Sequence, residues 1–138
     1  MPFHYTYTLC LGDTDAAGVM YFARTLHLCH VAYEAALTAV GLPLGQLLRE
    51  PELAVPITQC SAQFRRPLYC SDVVTVQVKP ESLGADEFHV VYTLSSPDGN
   101  TTYAQAQTQH TCINPEQRRR SPLPDWLRTG LVQIAQMN

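Results

Sequence analysis

Two carboxylates stand close together in residues 12–18, a short segment otherwise rich in small residues. A carboxylate can attack an acyl carbon directly, or it can orient and deprotonate a water molecule. Asp15 is our candidate for either role, because the alanines and the glycine that follow it leave room for an acyl group. Asp13 and Asp15 can alternatively cap a turn or a helix, as aspartate often does. For Asp13 we favour this structural role.

Hydrolysis at an acyl carbon also needs a group that stabilises negative charge on the carbonyl oxygen. A helical pattern begins directly after the loop, and the free N–H groups at a helix N-terminus favour an anion. The amides around Met20, Tyr21 and Phe22 are therefore the predicted oxyanion-binding groups. Gly18 would let the backbone approach the reacting group closely.

The same helix carries residues that suggest two other chemistries. His27, His30 and Glu34 lie roughly on one face and are potential metal ligands, but a polar helix side is the better explanation. Cys29 and His30 resemble a thiol and its base, yet neighbouring helical residues diverge by about 100° and cannot face one another. We predict no bound metal and no other cofactor.

The elements that position this loop follow from periodicity. Residues 3–11 alternate as a half-buried strand does, and from Tyr21 to Val40 apolar residues recur at steps of three and four, as in a helix. Gly41 and Pro43 end that helix, and a short helix is predicted over residues 44–49.

Four β-like segments follow, and short turns separate them, so the sheet is predicted to be antiparallel. They cover residues 54–66, 72–80, 86–96 and 101–113, and a short terminal helix is predicted to begin near Trp126. The long helix must bury its apolar stripe on this sheet. We therefore expect an α+β fold in which five antiparallel strands wrap around one long central helix. Pairing of exposed sheet edges predicts a homodimer.

Composition sets the broad class. A chain of 138 residues with 46% hydrophobic content fits one domain, predicted over residues 1–138. Neither an export signal nor a membrane-spanning stretch is evident, so we expect a soluble, cytoplasmic protein. The five scattered cysteines indicate neither disulfides nor zinc, and a net charge of -3 argues against nucleic acid as a partner.

One motif links the loop to a known family, because it stands between a first strand and a long helix. The motif is Asp13-Thr14-Asp15-Ala16-Ala17-Gly18-Val19-Met20-Tyr21-Phe22. With Pro56 opening the next strand and Phe64 near its end, the chain resembles the 4-hydroxybenzoyl-CoA thioesterase branch of the hotdog superfamily. The resemblance implies a hotdog fold, a homodimer or homotetramer with active sites at the subunit boundary, and Asp15 as the catalytic acid residue.

Residues 29–34, 106–113 and 121–124 are closer still to the 1,4-dihydroxy-2-naphthoyl-CoA thioesterases of phylloquinone and menaquinone synthesis. This resemblance implies hydrolysis of an aromatic acyl-CoA. The alternatives are 4-hydroxybenzoyl-CoA, a short-chain acyl-CoA, or a non-enzymatic acyl-binding module of the same fold. CoA phosphates require cationic partners, for which Arg65, Arg118 and Arg119 are the candidates, together with their neighbours Arg66 and Arg120. Gly18, Tyr21 and Phe22 complete the predicted substrate-binding set.

Overall fold

The computed structural model describes residues 2–137, and its main element is a five-stranded antiparallel sheet in the order β1-β3-β4-β5-β2. The predicted number of strands and their antiparallel pairing are confirmed. The strands are β1 Phe3–Thr8, β2 Ile57–Phe64, β3 Val73–Glu81, β4 Glu87–Ser95 and β5 Thr102–Thr111.

Strict alternation places one face of the sheet in the core. Val74, Val76 and Val78 of β3 are buried, while the residues between them are half-buried. The same pattern runs along β4, where Phe88, Val90, Tyr92 and Leu94 are buried. Side chains alternate between the two faces of a strand, so these residues together form the apolar floor on which helices pack.

Helix α1, Phe22–Ala39, packs on this floor against β1 and β3. Its end is a Schellman motif, in which Leu42 N–H donates to the carbonyl of Leu37 and Gly41 N–H donates to that of Thr38. Gly41 has a φ of 81°, which glycine adopts without strain. A short α2, Leu44–Leu47, follows as predicted.

The helical layer differs from the predicted single central helix. A third helix, α3 Asp125–Ala135, packs on both β3 and α1 and buries Leu127, Leu131 and Ile134. Gly130 allows this close approach, because a Cβ atom there would collide with the Leu42 side chain. The sheet therefore wraps around a long helix and a shorter C-terminal helix together.

Two further details depart from the predicted boundaries. β1 ends at Thr8, and residues Leu11–Asp13 form one turn of 3-10 helix, so Leu11 is 77% exposed instead of lying with the inward side of the strand. A small hairpin, β6 Ile113–Asn114 and β7 Arg119–Arg120, lies beyond the main sheet. The single domain predicted over 1–138 stays a prediction, and its first and last residues lie outside the described range. Among the helices of residues 2–137, none is long and apolar enough to span a membrane.

Candidate active site

A cavity of about 350 Å³ opens beside the N-terminus of α1. Five residues that the sequence analysis singled out for the site line it: Asp15, Met20, Phe22, Arg65 and Arg66. The remaining walls come from the loop, from the start of α1, from the ends of β2, β4 and β5, and from the turn after β2. They comprise Val19, Thr25, Phe64, Pro67, Leu68, Leu94, Tyr103 and Ala104. We refer to this space as the Asp15 cavity.

The loop holds Asp15 by both its backbone and its side chain. Ala17 N–H donates to Asp15 Oδ1 at 2.8 Å, and Gly18 N–H donates to the Asp15 carbonyl at 2.9 Å. Asp15 N–H in turn donates to the carbonyl of Val19 at 2.9 Å. Gly18 closes this turn with a φ of 81°, a conformation that L side chains rarely adopt. Within residues 2–137, Oδ2 of Asp15 has no partner, so this oxygen is available to a substrate or a water molecule.

The start of α1 supplies unpaired amides. Met20 N–H donates to the Leu68 carbonyl at 2.8 Å and Tyr21 N–H donates to the Asp13 carbonyl at 2.9 Å, so both are occupied. Tyr21 is the N-cap residue and makes no side-chain cap. In the described part of the chain, the amides of Phe22 and Ala23 have no acceptor. Of the predicted oxyanion-binding amides, only that of Phe22 is therefore free to bind an oxyanion, and the amide of Ala23 is a second candidate.

Asp13 has the structural role expected of it, with partners that sequence reasoning did not identify. Its carboxylate is buried and accepts hydrogen bonds from the Tyr7 hydroxyl at 2.7 Å and from Cys10 N–H at 2.8 Å. The guanidinium of Arg24 donates to its other oxygen at 2.9 and 3.2 Å. Strand β1, the loop and the first turn of α1 thus meet at one carboxylate.

These contacts determine the charge of Asp13. Burial alone would raise its pKa, but the hydrogen bonds from Cys10, Tyr7 and Arg24, with the positive charge of Arg24, hold the pKa below its usual range. The hydrogen bond to Asp13 also raises the pKa of Tyr7. Asp13 is therefore an ionised anchor at neutral pH, with Tyr7 as a protonated donor.

The predicted arginines fall into two groups. Arg65 lines the Asp15 cavity and donates to the side-chain oxygen of Gln105 at 2.8 and 3.1 Å, which holds the guanidinium against the outer face of β5. Arg118 and Arg119 lie at the β6–β7 hairpin and do not line this cavity within one chain. Gly18 and Tyr21 also lie outside its lining. Tyr21 is 43% exposed, and its ring contacts the edge of Phe22.

The rival chemistries find little support. Among residues 2–137, no three His, Cys, Asp or Glu side chains converge as metal ligands would. His30 instead lies 3.4 Å from Glu34 on the helix surface. Cys29 is fully buried, and burial raises its pKa to about 12, so its sulfur is a protonated thiol.

In sequence and in structure, the chain is similar to known thioesterases. The family model of the thioesterase-like superfamily matches residues 10–131. The 1,4-dihydroxy-2-naphthoyl-CoA hydrolase of Trichodesmium erythraeum is 39% identical over 97% of this chain and 98% of its own length. That of Thermosynechococcus vestitus is 43% identical over 91% of this chain and 88% of its own. The crystal structure of a 1,4-dihydroxy-2-naphthoyl-CoA thioesterase from Synechocystis superposes with a TM-score of 0.91, at 32% identity, covering 99% of this chain and 100% of that one.

Proposed function

This chain belongs to the thioesterase-like superfamily, and we propose that it hydrolyses 1,4-dihydroxy-2-naphthoyl-CoA to 1,4-dihydroxy-2-naphthoate and CoA. The reaction would provide the naphthoate precursor of phylloquinone or menaquinone. One observation carries the chemistry, namely that Asp15 and Phe22 line the same cavity at the start of α1. The proposed substrate is supported by the relatives from Trichodesmium erythraeum and Thermosynechococcus vestitus, which are 39% and 43% identical over most of this chain.

We place the thioester carbonyl oxygen against the unpaired amides of Phe22 and Ala23. The helix dipole adds to these two N–H groups, so negative charge that develops on the oxygen is stabilised where it forms. The acyl carbon then faces Asp15 Oδ2, the carboxylate oxygen without a protein partner.

Two routes from this geometry give the same products. Asp15 can attack the acyl carbon and expel the CoA thiolate, which leaves a mixed anhydride that water hydrolyses. It can instead take a proton from a water molecule that attacks the same carbon, and the C–S bond breaks in the second half of the reaction. In both routes CoA leaves as a thiolate that gains a proton, and the acyl group leaves as the carboxylate.

Arg65 supports the placement of CoA. Arg65 and Arg66 are both exposed and line the Asp15 cavity, so a phosphate of CoA can pair with them as the pantetheine arm leaves the cavity. We propose that Arg118 and Arg119 contribute from a second subunit, because they do not line the Asp15 cavity of their own chain.

We propose a homodimer as the smallest assembly. Strand β2 is at the sheet edge, and all of its residues except the half-buried Ala62 are exposed. Ile57 and Phe64, at its two ends, are 41% and 55% exposed. An unpaired edge with apolar ends is stabilised by pairing with a second copy, which forms one continuous sheet across a two-fold axis. A homotetramer would add a second interface and leave this one in place.

The substrate proposal is tested by steady-state hydrolysis of a panel of thioesters by the purified protein. The panel contains 1,4-dihydroxy-2-naphthoyl-CoA, 4-hydroxybenzoyl-CoA and butanoyl-CoA. We expect kcat/KM to be highest for the dihydroxynaphthoyl thioester, by at least about a hundredfold over butanoyl-CoA. Equal or higher kcat/KM for either of the other two thioesters would overturn the proposed substrate.

A further inference from the structure

One polar side chain of the Asp15 cavity has no role in the proposed mechanism. Thr25, on the second turn of α1, lines the cavity although only 3% of the residue is exposed. Within residues 2–137 its hydroxyl makes no hydrogen bond. No fully buried side-chain oxygen or nitrogen of that range is left without a partner, so the Thr25 hydroxyl must reach the cavity surface.

This hydroxyl lacks the bond that a threonine inside a helix often makes to the carbonyl four residues earlier. Thr38, near the end of the same helix, makes that bond, and its hydroxyl donates to the Glu34 carbonyl at 3.1 Å. Thr25 makes no such bond to the carbonyl of Tyr21, which lies in the described range. A buried hydroxyl without a partner lowers stability, and valine would fill the same volume without this cost. The position therefore suits a group that binds a molecule in the cavity.

Helix geometry directs Thr25 towards the reaction centre. Thr25 comes three residues after Phe22, so the two side chains lie on one face of α1. Side chains on a helix tilt towards its N-terminus, so the hydroxyl is directed to the first turn, where the free amides of Phe22 and Ala23 lie. A small molecule that approaches an acyl carbon held at these amides therefore meets Thr25.

The surroundings of Thr25 in the cavity are apolar. The neighbouring walls that are buried come from Leu68, Leu94 and Ala104. Tyr103 precedes Ala104 on β5, and successive side chains of a strand point to opposite faces, so the Tyr103 hydroxyl faces away from this buried part.

The two arginines of the cavity cannot take the place of Thr25. Arg65 and Arg66 are exposed, and a guanidinium donates hydrogen bonds but accepts none. Among the described residues that line the cavity, Asp15 and Thr25 are therefore the two whose side-chain oxygens can accept a hydrogen bond in its buried part.

We propose that the Thr25 hydroxyl, together with Asp15 Oδ2, holds the water molecule that attacks the acyl carbon. This inference rests on the proposed function and adds a water-binding residue to it. A water molecule in a cavity needs at least two polar partners. Its two protons donate to Asp15 Oδ2 and to Thr25 Oγ1, which leaves a lone pair of the water oxygen directed at the acyl carbon.

The step that Thr25 assists forms one bond and transfers one proton. The water oxygen bonds to the acyl carbon while Asp15 takes one water proton, and negative charge moves to the carbonyl oxygen at the amides of Phe22 and Ala23. The electron pair then returns from that oxygen, the C–S bond breaks, and the CoA thiolate receives the proton from Asp15. Thr25 keeps its own proton and contributes orientation. Both acceptors act at once, so the proposal belongs to the route in which Asp15 activates water.

The first test removes only the hydroxyl, with Thr25→Val, which keeps the shape of the side chain. We expect kcat to fall about tenfold, the value of one hydrogen bond, with KM within about twofold of wild type. Thr25→Ser keeps the hydroxyl and should retain kcat within about threefold of wild type. Thr38→Val, at an exposed position of the same helix outside the cavity, is the matched control and should alter neither constant. A wild-type kcat for Thr25→Val, or a Thr25→Ser variant as slow as Thr25→Val, would overturn the role of the hydroxyl.

Binding and folding separate this role from a structural one. The thioether S-(2-naphthylmethyl)-CoA has no carbonyl and is not hydrolysed, so its Kd should be the same for wild type and Thr25→Val within about twofold. The Tm of Thr25→Val should be at or above that of wild type, because an unpaired buried hydroxyl is removed. A Kd that rises as much as kcat falls would place Thr25 at the acyl group and contradict the proposal. Should Thr25→Val fail to fold, the pair Thr25→Ala and Thr25→Ser isolates the hydroxyl in the same way.

The second test asks whether Thr25 and Asp15 act on the same water molecule. Effects of two residues that act as a unit are not additive. We expect Thr25→Val to lower kcat about tenfold in the wild-type protein but by no more than about twofold in an Asp15→Asn background. A tenfold loss in both backgrounds would show that the two residues act independently.

Failure of this inference is distinguishable from failure of the proposed function. The Thr25 variants are compared on the panel thioester that the wild-type protein hydrolyses fastest, because the attacking water is the same for every acyl group. If that thioester is not the dihydroxynaphthoyl one and Thr25→Val still loses kcat, the proposed substrate is wrong and the inference is supported. If the dihydroxynaphthoyl thioester is preferred and Thr25→Val keeps the wild-type kcat, only the inference is wrong. If the wild-type protein hydrolyses none of the panel, both are wrong.

Discussion

The guanidinium of Arg24 lies 2.9 Å from the carboxylate of Asp13, and this ion pair joins the first turn of α1 to the loop that carries Asp15. Asp13 is buried, while the side chain of Arg24 is 40% exposed. Through its own carbonyl, Asp13 also receives the N–H of Tyr21, the residue that caps the helix. The relative position of Asp15 and the Phe22 amide therefore depends on contacts of Asp13, a buried residue that does not line the Asp15 cavity.

We predict that Asp13→Asn lowers the free energy of unfolding by about 2 kcal/mol, because a buried carboxylate loses its charge-assisted hydrogen bonds while the half-exposed Arg24 regains water. Urea denaturation at pH 7 measures this change. Asp125→Asn, at an exposed position opening α3, is the matched control and should stay within about 0.5 kcal/mol of wild type. A loss for Asp13→Asn no larger than that of the control would show that the cluster does not stabilise the loop.

We predict that the folding stability of the protein falls at acidic pH because of His110. Its ring is buried and stacked on Phe88, and burial, followed by the charges of His30 and His89, lowers its pKa from 6.5 to about 4. Between pH 4 and pH 6.5, His110 is therefore protonated in the unfolded chain and neutral in the folded chain. Stability is complete above pH 6.5 and falls as pH drops towards 4, by on the order of 3 kcal/mol. A ring-proton NMR titration in which His110 charges near pH 6.5 would contradict this prediction.

Gly18 is predicted to be the most sensitive glycine of the loop. At φ 81°, an alanine would be strained although nothing lies within 4 Å of its Cβ atom, so Gly18→Ala should destabilise the fold by about 1 kcal/mol. Because Gly18 N–H also holds the Asp15 backbone, kcat should fall as well. Gly12→Ala is a suitable control, since its Cβ atom meets nothing within 4 Å and its φ is not positive. Thermal unfolding and kcat are measured for both variants. Equal melting temperatures and equal kcat values for Gly18→Ala and Gly12→Ala would contradict the prediction.

Arg65→Gln should raise KM for CoA thioesters several-fold, about the loss of one charge-assisted phosphate contact. Hydrolysis of the matching N-acetylcysteamine thioester, which has no phosphates, should not change. Arg49→Gln is the control, because Arg49 is exposed and outside the Asp15 cavity. An equal rise in KM for both thioesters would place Arg65 at the acyl group or the fold instead of at CoA.

The sequence predicts best what depends on local periodicity. Recurrence of apolar residues at steps of three and four predicted α1 to within one residue at each end. In β3 and β4, the residues that alternate as apolar in the sequence are the buried ones. A short terminal helix was predicted, but its packing on β3 and α1 was not. This packing buries Leu127 and Leu131 against elements that are distant in sequence, which no local pattern reveals.

The candidate site divides in the same way. The spacing of Asp15, Gly18 and Phe22 was visible as a loop before a helix, and Asp15 and Phe22 do line one cavity. The side-chain partners of Asp13 lie six residues before it and eleven residues after it in the sequence, so only the folded chain shows them. Tyr33 is a buried residue of α1, and only the folded chain shows that the segment before β2 encloses a cavity beside it.

The central claim, that Asp15 carries the hydrolysis of the thioester, is tested most directly by the kinetics of Asp15→Asn with 1,4-dihydroxy-2-naphthoyl-CoA. The substitution preserves the shape and the hydrogen bond from Ala17 N–H, and removes the charge. We predict that kcat falls by about a hundredfold to ten-thousandfold, with KM within about threefold of wild type. A variant that turns over at the wild-type kcat would contradict the account.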